Sequence, residues 1–201
     1  MKRDFIRFVK RQTALALMGR MHSLLYRRHK LATIEGKRLV TVSVTKALAS
    51  ASQPYHAEDV LCENATTGVP YTFAAIAKVN GGTGYIVKAH AICETTAVAP
   101  RFTLFLFNAT PTSELRDHIA NTALLHADLA NYVGKIDFPA MEDLGTGDSE
   151  SVATPSTYGN LPLAFQCATA ADDLIGILVT RDAFTNTATN DMTIRLTAEQ
   201  Y

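Results

Sequence analysis

The chain has no tryptophan, three cysteines, seven prolines and eleven glycines in 201 residues, and each scarcity excludes something. With 47% apolar residues and so little proline and glycine, it is neither a low-complexity nor a disordered chain; it describes one medium-sized globular domain with a tail. A body of this length buries ~70% of its unfolded surface, so it needs no metal or disulfide to fold. Cys62, Cys93 and Cys167 are odd in number and widely spaced, with no CxxC pair and no zinc-type spacing to histidine, and read as reduced core thiols. No run of eighteen apolar residues occurs, which argues against a membrane-spanning helix. The protein is expected to be soluble or to sit on something larger.

Catalytic signatures are scarce too. His22, His29, His56, His90, His118 and His126 form no HExxH or His-x-His arrangement, and none sits beside a cysteine in a nucleophile signature. The loop Asn80-Gly81-Gly82-Thr83-Gly84 lacks the lysine and the following helix of a phosphate-binding loop. Glu142 and Asp143 are adjacent, so on a strand they point to opposite faces and make a poor acid–base pair. Together with Asp148 and Glu150 they could gather oxygen ligands for Ca²⁺, but the spacing fits no EF-hand and acidic loops are ordinarily only solvated. The expectation is a protein that is not an enzyme and uses no cofactor or metal.

Formal net charge is zero, yet the charge is divided. Residues 1–38 hold eleven Lys/Arg against the two acids Asp4 and Glu35, a net of +9; the rest holds eight Lys/Arg against seventeen acids, a net of −9. A basic arm is joined to an acidic body.

Residues 1–36 read as a basic amphipathic α-helical arm. Asp4 favours the N-terminus, and no proline or β-branched run interrupts the pattern before Leu31. Phe5, Phe8, Val9, Leu15, Met18 and Leu25 recur at three-and-four spacing, and Arg7, Lys10, Arg11, Arg20, Arg27 and Arg28 fill most other positions. Gly19 weakens the middle by ~1 kcal/mol relative to alanine, and Gly36 is a plausible stop. Such a helix is marginal alone, because nucleation is costly and its apolar stripe has nothing to cover it, so it should dock on a partner. The docking residues are Phe5, Arg7, Phe8, Val9, Lys10, Arg11, Leu15, Met18, Arg27 and Arg28. An acidic protein surface suits them, with charge raising the association rate and the Phe5/Phe8/Val9 face giving affinity. The alternatives are packing against the body or a symmetry-related copy, nucleic-acid phosphates, and a membrane surface; no aromatic stacking platform accompanies the arginines.

From Lys37 the period changes to two: Val40, Val42 and Val44 alternate with Thr41, Ser43 and Thr45, a strand followed by a small-residue linker up to Pro54. Residues 55–201 read as a mainly β body, an antiparallel β-sandwich of jelly-roll-like kind. Thr72 to Val79 and Tyr85 to Ile92 flank the glycine-rich loop at 80–84 and predict a hairpin. Phe102 to Phe107 and Leu174 to Thr180 are apolar at every step or nearly so, which predicts inner strands covered on both faces. Ser113 to Tyr132 has an N-cap candidate at Thr112 or Ser113 and predicts one or two short helices. Gly145 to Pro155 reads as an exposed loop, and Met192, Ile194 and Leu196 mark a half-exposed final strand.

Five ordered segments of the body carry a resemblance: Asn80 to Lys88 (NGGTGYIVK), Arg101 to Thr112 (RFTLFLFNATPT), Tyr132 to Met141 (YVGKIDFPAM), Leu178 to Phe184 (LVTRDAF) and Leu196 to Tyr201 (LTAEQY). From about Tyr55 onward the chain resembles a family of small virion structural proteins of tailed bacteriophages. These are packing and turn motifs rather than functional signatures. The resemblance implies a sandwich subunit on the phage head surface, a capsid decoration or cementing protein bound to the major capsid protein. Clustering such subunits around capsid symmetry axes multiplies weak contacts, so a homo-oligomer is expected, with trimers the natural guess at local three-fold axes. The arm lies outside the resembling part, and its expected role is to anchor the body to the shell, without a membrane. The competing placements are a head-to-tail connector, tail or head-fibre component, and an internal nucleic-acid-binding virion protein.

Overall fold

The computed structural model describes residues 37–48, 54–95, 98–155, 160–185 and 190–201. Residues 1–36, where the helical arm and all its docking residues are expected, and residues 49–53 of the expected linker lie outside them.

Arg38–Tyr201 is one compact unit built from two antiparallel sheets. The six-stranded sheet consists of β1 (Arg38–Ala47), β4 (Thr83–Cys93), β7 (Glu142–Asp143), β8 (Ser149–Ala153), β9 (Leu163–Gln166) and β11 (Asp191–Gln200). The five-stranded sheet consists of β2 (Val60–Leu61), β3 (Tyr71–Phe73), β5 (Phe102–Phe107), β6 (Tyr132–Phe138) and β10 (Leu174–Thr180). The mainly β sandwich expected from the sequence is thus the observed fold. β1 pairs with β11 along its whole length, from Arg38 opposite Gln200 to Ala47 opposite Asp191. The segment set apart in the sequence as strand and linker therefore contributes its strand to the body.

Alternation explains which face goes inward. Met192, Ile194, Leu196 and Ala198 of β11 are fully buried, and Val40, Val42 and Val44 of β1 pack against the same core. From the other sheet Phe73, Phe102, Leu104, Leu106 and Ile136 close it. On β4 the ladder with β11 skips Val87, since Thr197 pairs with Lys88 and Ala198 with Ile86. This bulge lies where the strand on the other side of β4 changes from β9, opposite Thr83 to Ile86, to β8, opposite Ala89 to Cys93.

β5 and β10 are buried at every residue, as their continuous apolar runs predict. Their outer face forms a second apolar cluster of Val60, Phe105, Phe107, Ile175, Ile177 and Val179, against which Leu115, Ala123 and Tyr132 pack. The covering segment, residues 111–131, contains one 3-10 helix at His126–Asn131 and no α-helix. Thr112 and Ser113 cap nothing locally. The Thr112 N–H and hydroxyl donate to Asp128 Oδ1 at 2.7 and 2.8 Å, and those of Ser113 to Oδ2 at 2.9 and 2.6 Å. A carboxylate fifteen residues downstream of Ser113 takes the donors that a helix start would have offered, and closes a loop instead.

Two further expectations are corrected. β3 and β4 do not form a hairpin: β3 pairs with β10 and β4 with β11, so the glycine-rich loop passes from one sheet to the other. Its chemistry is still that of a tight turn. Gly81 has φ +71° and its N–H reaches the Ala168 and Ala171 carbonyls at 3.0 and 2.9 Å, while a Cβ on Gly82 would lie 2.7 Å from the Val79 oxygen. Within Gly145 to Pro155, residues 149–153 form β8 rather than a loop. Ser149, Ser151 and Ala153 face inward, and the two hydroxyls donate to the Thr95 and Pro139 carbonyls at 2.9 and 2.7 Å. Small hydrogen-bonded residues at the buried positions hid the strand from a hydrophobic-alternation reading.

Candidate functional site

The arm residues Phe5, Arg7, Phe8, Val9, Lys10, Arg11, Leu15, Met18, Arg27 and Arg28 lie outside the described residues. It does describe the strand that follows them in sequence. β1 is the end strand of the six-stranded sheet, and among the described residues no strand pairs with its outer side. Its first residues are open, with Leu39 64% exposed. Its solvent face is a hydroxyl ladder: Thr41 and Thr45 meet Thr197 and Thr193 at 3.2 and 2.8 Å, and Arg195 Nε donates to Ser43 Oγ at 3.4 Å. Lys46 is tucked inward, donating to Glu63 at 2.9 Å.

The body's cations are largely engaged within it. Lys46 pairs with Glu63, Arg101 with Asp182, Arg116 with Glu114, Lys135 with Asp137 and Arg181 with Glu58. The guanidinium of Arg101 holds the Asp182 carboxyl down to about 2, first by hydrogen bonding. With five of the eight body cations so paired, the −9 excess belongs to a surface with little basic charge to offer a partner.

The acidic residues considered for Ca²⁺ do not converge. Glu142 and Asp143 sit in β7 opposite Glu150 and Ser149. Glu150 Oε1 is 2.5 Å from His90 Nδ1, and Asp143 Oδ1 accepts the Gly145 N–H at 2.9 Å. Among the described residues no group of three His, Cys, Asp or Glu side chains is placed to hold a metal ion. All three cysteines are free and buried. Burial, with Asp173 and Asp172 nearby, pushes the Cys167 thiol up to about 12, so it stays protonated.

One polar constellation has no local sequence signature. Asp117 is fully buried and accepts hydrogen bonds from the Tyr55 hydroxyl at 2.9 Å and the Cys62 N–H at 2.8 Å, with His118 Nδ1 2.6 Å from its other oxygen. The Tyr55 ring is stacked between His118, at 3.9 Å, and Phe184, at 4.9 Å. Burial and the Asp117 charge push the Tyr55 hydroxyl well above its ordinary value, so it donates to the carboxylate and does not ionise. Asp117 thus ties the cover, through Cys62 and Tyr55, to the body. Tyr55 and Asp117 are sixty-two residues apart, a spacing that no motif search connects.

An open cleft of about 660 Å³ lies where β4 and β9 meet the start of β6. Tyr85, Tyr132, Tyr201, Phe165 and Gly84 line it, and Thr83, Asn108 and Gln166 add polar groups. The Tyr85 and Tyr201 rings meet edge to face, with centroids 5.9 Å apart and planes at 77°. Gly84 is required there, since a Cβ would lie 2.3 Å from the Glu199 oxygen and 2.6 Å from Phe165 Cζ.

These features define a mainly β protein of the antiparallel-sandwich class. No protein-family model matches the chain, and no curated protein matches it. Among solved structures the chain is similar to one from Desmodium yellow mottle tymovirus, at 12% identity and a TM-score of 0.28, covering 82% of this chain and 87% of that one. At that TM-score the likeness assigns neither fold nor function.

Proposed function

We propose that the protein is a non-enzymatic virion structural subunit that binds the major capsid protein and decorates or cements a phage head, with residues 1–36 as its docking arm. The observation that carries this reading is the opposition of charge. Residues 1–38, of net +9, lead in sequence into residues 39–201, of net −9, whose own cations are mostly paired internally. A chain so divided attracts acidic partners through one part only, and an arm adds buried area and effective concentration to whatever the body contacts. The buried carboxylates fit a scaffold, because Asp117 and Asp128 are saturated with hydrogen bonds that hold the cover in place. The phage head as location rests on the resemblance of the five body segments.

The test is a count and a position: mass spectrometry of purified virions for copy number, and cryo-EM for placement. On the order of hundreds of copies spread over the shell is the expected result, since closed symmetric shells repeat each contact. A handful at one vertex would replace this reading with a connector or tail component. Removing residues 1–36 should leave a folded body, checked by circular dichroism, that binds shells at least about tenfold more weakly. The +9 segment also favours a nucleic-acid reading, in which binding to DNA would fall steeply and log-linearly with salt. Salt-insensitive or undetectable DNA binding by the full chain would dismiss that alternative.

A further inference from the structure

The chain has no tryptophan, so tyrosine is its one large aromatic ring that joins a broad apolar face to a hydrogen-bonding hydroxyl. Of the five described tyrosines, Tyr55 and Tyr71 are buried in the core; the other three, Tyr85, Tyr132 and Tyr201, all line one cleft. Random decoration of a sandwich surface would scatter them. Tyr85 and Tyr201 are 42% and 47% exposed, which leaves large aromatic faces in water unless a ligand covers them.

We propose that this cleft binds a neutral oligosaccharide, with the Tyr85 and Tyr201 rings as the stacking platform and the Gln166 and Asn108 amides as hydrogen-bonding groups. The volume of about 660 Å³ lies within the usual range for small-ligand sites. Among the residues lining it none is Lys, Arg, Asp or Glu, so a phosphate or carboxylate ligand would find no counter-charge. That lining excludes single-stranded nucleic acid, whose grooves pair stacking rings with cations. A pyranose has the matching chemistry: an apolar C–H face for a ring, and a rim of hydroxyls that both donate and accept.

The polar groups are placed for such a rim. Thr83 and Gln166 are directly paired across β4 and β9, so hydroxyl and amide stand side by side on one face, two residues along β4 from Tyr85. Gln166 is exposed, and its side-chain amide has no hydrogen-bond partner among the described residues. An amide carries both donors and an acceptor, as vicinal sugar hydroxyls require. The Tyr201 ring is already held, its hydroxyl 3.1 Å from Glu199 Oε2 and its N–H donating to the Thr83 oxygen at 3.1 Å. A wall ordered beforehand lowers the entropy lost on binding. A proline-rich peptide also docks on tyrosine-lined grooves. The paired hydroxyl and amide favour the sugar.

The full chain would be titrated with maltohexaose, cellohexaose, chitohexaose and decaproline, read by saturation-transfer NMR and calorimetry. The expected result is saturable binding of at least one hexasaccharide, with saturation transfer greatest at ring C–H protons. Tyr85→Ala should weaken it about tenfold or more and Gln166→Ala by a smaller factor. Both side chains are exposed, and the unchanged circular dichroism of each variant would show that the fold persists. Absence of saturation by every sugar at about 10 mM, decaproline binding in their place, or affinity indifferent to both substitutions would each overturn the proposal. The virion reading stands or falls separately, since copy number and placement do not depend on this cleft.

Discussion

The central strands β5 and β10 of the five-stranded sheet are buried on both faces, by the core on one side and by the cover at residues 111–131 on the other, whereas the six-stranded sheet is buried on one face and carries threonine, serine and arginine on the other. The sheets differ in what holds their outer faces. Over β5 and β10 an irregular segment is kept in place by two buried carboxylates, Asp117 and Asp128, which accept backbone and hydroxyl donors from distant positions. Over β1 and β11 water does the same work, and hydroxyl pairs cross between strands without burial. An apolar face needs a cover, and a cover without regular structure needs acceptors of its own for its backbone groups.

This contrast predicts where the molecule breaks. The largest effect is expected at Asp117. Asp117→Ala leaves the Tyr55 hydroxyl and the Cys62 N–H buried without an acceptor, and should cost about 3 kcal/mol or more in chemical denaturation. A loss under about 1 kcal/mol would mean that the cover is held by its apolar contacts alone. Gly176→Ala in β10 comes next. Its Cβ would lie 2.9 Å from Leu104 Cδ1 and 3.0 Å from Phe73 Cε2, an overpacking expected to cost about 1–3 kcal/mol.

Acid should distinguish the two sheets without mutation. The Arg116 guanidinium holds the Glu114 carboxyl down to about 2, and although burial alone would raise Asp128, the donors on Thr112 and Ser113 keep it below its ordinary value. Both groups have folded values below their unfolded ones. The stability they add is therefore complete above the unfolded carboxylate range near ~4 and is lost as pH falls toward about 2. Hydrogen exchange at pH 3, corrected for intrinsic rates, should rise in residues 111–131 before it rises in β1, β4 and β11; simultaneous opening would refute a separately held cover. The smallest effect is expected on the open face, where Thr41→Ala or Thr45→Ala should shift stability by about 0.5 kcal/mol or less.

The sequence made the regular parts of this picture legible and hid the irregular ones. Alternation identified β1 and β11, and the unbroken apolar runs identified β5 and β10 together with their two-sided burial, because in each the hydrophobic effect writes directly into residue order. β8 escaped because Ser149 and Ser151 satisfy their hydroxyls inside the sandwich, so its buried face is not apolar. The loop at 80–84 was correctly a turn and wrongly a hairpin: turn residues specify local φ, and which strand pairs with which is decided by faces far away in sequence. In the cover the expected short helix is present as the 3-10 turn at His126–Asn131, but no helix starts at Thr112 or Ser113, since Asp128 takes their donors from a distance. Nothing local announces the gathering of Tyr85, Tyr132 and Tyr201, which come from three separated strands or strand ends.

The pairing of β1 with β11 also bears on how the protein is made. β1 is among the first parts of the body to leave the ribosome, and its partner is made only after all the other strands. Throughout synthesis the edge of the sandwich stays unfinished, and Val40, Val42 and Val44 wait uncovered behind a strongly basic leading segment. Contacts this far apart in sequence slow folding, and nascent chains with unpaired strands are prone to associate.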